Sequence, residues 1–229
     1  MPILILFGVI ALAALIFGPQ YWVRHALKTH SGDRPDLPGN GSELARHLLD
    51  EAGLQNVKVE ITGSGDHYDP QDETVRLSPE HYGGRSIAAV AVAAHEVSHA
   101  VQHASGDRAF ALRGALVRHL GRFDQAAMIV LFTLPLVALA VRSPALMILQ
   151  VALAIALLGV RILAHLVTLP VELDASFRKA LPVLERGGYL KAGDLPAVRT
   201  VLKAAAWTYV ASALATLLDV ARWLRILRF

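Results

Sequence analysis

Apolar positions in this chain are gathered into long blocks, with a polar region between the first two. From Pro2 to Val23 no charged residue occurs, and about 20 such residues span a bilayer as a helix. A cleaved leader would place cationic residues before its apolar core and a small-residue cleavage site after it. Here the first basic residue is Arg24, so residues 1–24 read as a retained transmembrane anchor. Two further blocks, Ala126 to Val141 and Pro144 to Pro170, are separated only by Arg142 and Ser143; the later one is interrupted by Arg161 and His165. Together they predict a transmembrane helical hairpin over 126–169, with Arg161 and His165 snorkelling toward the interface. A fourth block from Ala204 to Val220 carries Asp219 as its one charge. It predicts an apolar helix within 204–229 that either spans or packs on the polar part.

The polar region from Arg24 to Gln125 begins with a Gly/Pro/Asp-rich linker, Gly32 to Gly41. Ser42 is placed to cap a helix from Glu43 to Ala52 that stops at Gly53. Val57, Val59 and Ile61 alternate, as do Val75 and Leu77, predicting two short strands joined by a loop over Gly63 to Gln71. A helix is expected from Ser86 to Ala104, ending before Gly106. Beyond the hairpin another is expected from Val171 to Arg186, with Pro170 suited to its start. The fold class is a mainly α membrane protein with a small two-strand β element.

Composition narrows the class. Hydrophobic residues make up 54% and charged residues 18%, against about 25% charged in a soluble domain. The mean hydropathy is +0.45. Disorder is excluded. A net charge of +3 without a basic, aromatic-interleaved patch gives no footing for nucleic acid. The chain has no cysteine, so any metal must be held by nitrogen and oxygen.

His95, Glu96, Val97, Ser98 and His99 spell HExxH. Residues four apart on a helix project from one face, about 6 Å apart along the axis. Two imidazoles there converge on one ion, and zinc is the expected metal. Glu96 is rotated by about 100° from His95, which suits a general base acting on a metal-activated water. A catalytic zinc takes three protein ligands and an open position. His103 is excluded as the third, because eight residues of helix rise about 12 Å. Asp107 and Asp124 lie in connecting segments. Glu172 and Asp174 follow the hairpin, and spacing alone does not separate them.

The chain resembles the YugP family of neutral zinc metallopeptidases. The resemblance is carried in order by Asp66–His67–Tyr68–Asp69–Pro70, Val75–Arg76–Leu77–Ser78, Arg85 to Ala89, Val92 to Val97, His99 to His103, Thr168 to Glu172, Asp174–Ala175–Ser176 and Ala204 to Ala211. It spans nearly the whole chain. Ser98 stands where that family has Gly, and Leu173 where it usually has an aromatic residue. The Ser98 position faces away from the metal, so a packing change is expected there. The resemblance implies a gluzincin-like peptidase whose zincin-like domain is split into 25–125 and 170–203. Glu172 and Ala175 are similar to the third-ligand helix of membrane peptidases related to HtpX, which makes Glu172 the preferred third ligand with His95 and His99. That pattern has Asp where Ser176 stands, which hands Asp174 the task of orienting a histidine.

The expected function is membrane-bound zinc metalloendopeptidase activity near the membrane surface, with Glu96 as base. His67, Tyr68, Tyr82 and Arg178 are the candidate donors to the oxyanion; for His67 to Asp69 the alternative is turn chemistry between strands. Glu172 lies two residues past Pro170, so substrates are expected to be membrane proteins or membrane-proximal polypeptides. The lipid bilayer is the other partner, with room for an accessory protein or an oligomer. The expected location is the bacterial inner (plasma) membrane, and basic residues flanking the spans favour a cytoplasmic site. The competing reading is a non-catalytic membrane scaffold with a structural zinc closed by a fourth ligand, His103, His67 or Asp174. An intramembrane protease is disfavoured, because the stretch from Ile87 to Ala94 before His95 is too short to complete a span.

Overall fold

The computed structural model describes residues 2–141, 143–208 and 210. Arg142 and Asp219 lie outside them, as does most of the fourth apolar block.

The chain opens with a long helix, α1 (Pro2–Thr29). Helix α2 (Gly41–Glu51) is capped two residues earlier than expected. Asn40, not Ser42, accepts from the Glu43 amide, and the Glu43 carboxylate returns to the Asn40 amide. This reciprocal box satisfies two free amides at once, which a serine already inside the first turn cannot do.

The β element has three strands instead of two. β1 (Lys58–Ile61), β2 (His67–Asp69) and β3 (Thr74–Leu77) lie in the order β1-β3-β2. β1 pairs parallel to β3, and β2 pairs antiparallel to it, with Tyr68 opposite Val75. The stretch expected to be loop is therefore an edge strand. Gly65, at a positive φ of 92°, turns the chain into it. Arg76 on β3 holds it through Asp69 at 2.6 Å and also reaches Asp72 at 2.6 Å.

After the short turn α3 (Pro79–Tyr82) comes α4 (Ile87–Ala104), started by the Ser86 hydroxyl accepting from the Ala89 amide. Only Val101, His103 and Ala104 of α4 escape full burial. The run of alanines in its first half lets neighbours approach on every side. Leu44, Leu48 and Leu49 of α2 and Val75 and Leu77 of β3 share its core. So do Leu181 and Leu184 of α7 (Leu181–Arg186) and Val198, Val201 and Leu202 of α8 (residues 195–208).

Asp107 accepts from the Ala109 and Phe110 amides and so caps α5 (Arg108–Val141). This helix begins far ahead of the apolar block at 126. It is joined closely to α6 (Pro144–Leu173), whose start is capped by Ser143. Both are long and apolar enough to cross a membrane. Ile129, Phe132, Leu136, Ile148, Leu149 and Leu163 stand exposed on them. Between them the Gln150 amide donates to the Val130 carbonyl at 3.0 Å and the Thr133 hydroxyl at 2.9 Å. Pro170 does not start a helix; it lies inside α6. The expected helix from Val171 to Arg186 is instead the end of α6, a π-helical turn over Asp174–Ala180, and α7. The expected segment boundaries at 125/126 and 169/170 both fall within continuous helix. The backbone at Arg161 is helical and His165 is half-buried.

Candidate metal centre

Two elements meet at the site. α4 supplies His95, Glu96 and His99; the end of α6 supplies Glu172. Among the described residues, His95, His99 and Glu172 form a group able to hold a metal ion. Their exposures are 4%, 3% and 1%, so water cannot satisfy them. Glu172 Oε2 lies 3.1 Å from His95 Nε2 and 3.3 Å from His99 Nε2. The edges of a tetrahedron of ligands around zinc are about 3.3 Å, given bonds of about 2.0–2.1 Å.

The far side of each imidazole supports the same reading. His99 Nδ1 donates to Gln102 Oε1 at 2.8 Å, and the Gln102 amide donates to the Val171 carbonyl and to Asp174 Oδ2. His95 Nδ1 meets the Ser176 hydroxyl at 3.1 Å, and that hydroxyl donates to the Leu202 carbonyl at 3.2 Å. These contacts fix each ring with its Nε2 turned toward Glu172, the arrangement in which a metal-binding histidine keeps its proton on Nδ1. Glu172 Oε2 is within hydrogen-bond distance of His95 Nε2 at 3.1 Å, and a cation placed among the three atoms would take over that contact and bind all three. The donor set, of nitrogen and oxygen in a tripod, suits zinc.

Glu96 lines the same pocket as the three candidate ligands, with Asp66, His67, Tyr68 and Arg113. Burial pushes its carboxyl up to about 7, with His95 opposing and the Glu172 charge adding to the rise. Asp66 is fixed by the Ser78 amide at 2.7 Å and by His81 at 2.8 Å. Partial burial acts to raise its pKa, but the bonds from His81 and Ser78 outweigh it and hold the carboxyl below its ordinary value. Tyr68 bonds His103 Nδ1 at 2.9 Å. Burial, with the charges of Glu73 and Asp69, pushes its hydroxyl up to about 12, so it stays protonated. His67 Nδ1 meets the Gly65 carbonyl at 2.8 Å.

Other sequence candidates lie elsewhere. Tyr82 and Arg178 do not line this pocket. Arg178 faces a groove on the opposite side of α4, beside Ser98, whose hydroxyl bonds back to the Ala94 carbonyl. Asp107 is spent on its helix cap, and Asp124 lies within α5 and not in a connection. Asp174 reaches His99 only through Gln102, and also binds Lys179 at 2.6 Å. Gln102, Ser176 and Arg113 were missed from sequence. Gln102 stands three residues after His99 and was findable by helical spacing. The other two depend on tertiary placement.

Three further walls close the pocket: Val92 of α4, Val23 and Leu27 of α1, and Ala205 and Thr208 of α8.

A family described as "Putative neutral zinc metallopeptidase" matches residues 4–228. The Bacillus subtilis (strain 168) protein named "Putative membrane protease YugP" is 37% identical over 225 residues, covering 97% of this chain and 96% of that protein. No solved structure matches the chain.

Proposed function

This chain belongs to the neutral zinc metallopeptidase family, and we propose that it is a membrane-bound endopeptidase cutting polypeptides close to the bilayer surface. The observation that carries this reading is the convergence of His95, His99 and Glu172 in one buried pocket with Glu96 beside them.

His95, His99 and Glu172 would hold the zinc. Bound there, zinc supplies a Lewis acid for the scissile carbonyl and acidifies a water. Glu96 accepts the proton of the attacking water on its carboxylate and delivers it to the departing amine. His67 and Tyr68 line the pocket and offer N–H and O–H donors to the developing oxyanion. β2 carries both residues at the edge of the sheet, and an extended substrate lies along that edge as an added strand. Among the described residues only His95, His99 and Glu172 group as candidate ligands, with His67, His103 and Asp174 outside that group, which leaves the fourth coordination position to water and substrate. A closed structural site in a scaffold would need one of them.

α5 and α6 are assigned to the bilayer as a hairpin, with α1 as an anchor. Glu172 closes α6, so the centre sits at the membrane surface, and the natural substrates are loops or ends of membrane proteins. The basic flanks of the spans favour a cytoplasmic face for the site.

Glu96→Gln tests the mechanism. The variant should bind zinc as the wild type does and cleave an unstructured reporter peptide in detergent about a hundredfold or more slower. Equal cleavage by the two proteins would remove Glu96 from the reaction.

A further inference from the structure

Glu172 has two oxygens in different surroundings. Oε2 faces both imidazoles. Oε1 is fully buried and makes no hydrogen bond, yet Arg113 Nη2 stands 3.2 Å from it as an ion pair. Arg113 comes from neither ligand-bearing helix. It projects from the early turns of α5, and its guanidinium lies over the Phe110 ring at 5.7 Å. Phe110 in turn packs against the His99 ring, with centroids 5.9 Å apart.

We propose that Arg113 is a positioning residue that occupies the outer oxygen of Glu172, so that the carboxylate offers a single oxygen to the metal. A glutamate can bind a cation through one oxygen or both. With both engaged, the fourth position that catalysis needs is crowded. At 1% exposure Glu172 cannot turn Oε1 to water, so a competing cation must hold it. A guanidinium suits the task, because it is always charged and presents its donors in a rigid planar fork. The same contact ties α5, the first helix of the hairpin, to a centre whose ligands lie on α4 and α6. This inference rests on the metal-centre reading above and extends it to a residue outside the ligand set.

Cobalt(II) in place of zinc reports coordination number directly, since four-coordinate cobalt absorbs strongly in the visible and five-coordinate cobalt weakly. Full-length wild type, Arg113→Lys, Arg113→Gln and Arg113→Met are purified metal-free in detergent and titrated with cobalt, with folding checked by circular dichroism. The wild type and Arg113→Lys, which keeps a cation, are expected to show the strong four-coordinate bands. Arg113→Gln and Arg113→Met should still take up cobalt, with weakened, shifted bands and about tenfold lower affinity in chelator competition. Should the methionine variant fail to fold, the glutamine variant, similar in length and polar, decides the matter alone. Wild-type bands and affinity in the folded neutral variants overturn the role of Arg113 and leave the metal centre standing. A wild type that takes up no cobalt overturns both.

Discussion

The metal cage and the hairpin that separates its two halves in sequence are built by opposite means. In the cage almost every polar atom has a designated partner: His99 with Gln102, Gln102 with Asp174, Asp174 with Lys179, His95 with Ser176. In the hairpin large apolar side chains face outward, and polar groups are few. The Thr133 and Thr168 hydroxyls bond back to carbonyls of their own helices, and Gln150 bridges the pair. Buried charge is tolerable only where it is matched, whereas apolar surface can be displayed freely where the surroundings are lipid. The difference teaches where each region's solvent lies. On the reading proposed above, the cage pairs its buried polar groups around an ion site, and the hairpin leaves apolar side chains uncovered as a lipid-facing pair would.

The comparison can be broken most sharply at Glu172, where the two regions join. Glu172→Ala should lower zinc content to background in purified protein while the helical signal persists. Zinc retained at the wild-type level would mean that the third ligand lies elsewhere. A smaller effect is expected behind the imidazoles. Gln102→Ala should weaken zinc binding about 10–100-fold, because His99 loses an acceptor that is itself anchored at two points. Ser176→Ala should cost less, toward the lower end of that range, because a single neutral hydroxyl backs His95. Chelator competition on both variants gives the order, and a reversed order would show that Ser176 is the more important support. The smallest effect belongs to Asp66. Its folded pKa lies below the unfolded one, so its contribution to stability is present above the ordinary carboxylate range and is lost as pH falls through the folded value. The thermal stability of the wild type should therefore fall on acidification below about pH 4, and Asp66→Asn should flatten that dependence. Parallel acid profiles for the two proteins would contradict it.

The legible parts of the molecule were those decided locally. His95, Glu96 and His99 sit within one turn of one helix, and their spacing is a statement about that helix alone. The apolar blocks were equally local, although α5 extends far ahead of its block. Its first turns set basic residues among apolar ones, as in Arg108–Ala109–Phe110–Ala111–Leu112–Arg113, and give no apolar run to read. The strand β2 was missed because three residues hold no periodicity, and its existence depends on Arg76 and Val75 across the ladder. The π-helical turn after Glu172 was missed because seven residues of widened helix have the same apolar pattern as an ordinary one. That turn places Ser176 behind His95, a contact no spacing rule could foresee. Arg113 was invisible for a related reason. Its partner lies in another helix, and only the packing of α5 against α4 through Phe110 brings the two together.

One wall of the catalytic pocket is made by Val23 and Leu27, near the end of the leading helix. That helix is therefore more than a tether. A fragment prepared by trimming it away would carry the candidate ligands and the base intact, yet its cleft would gape on one flank. On the proposed reading the same stretch of chain would both anchor the protein and shape the cavity, and surgery on one would be surgery on the other.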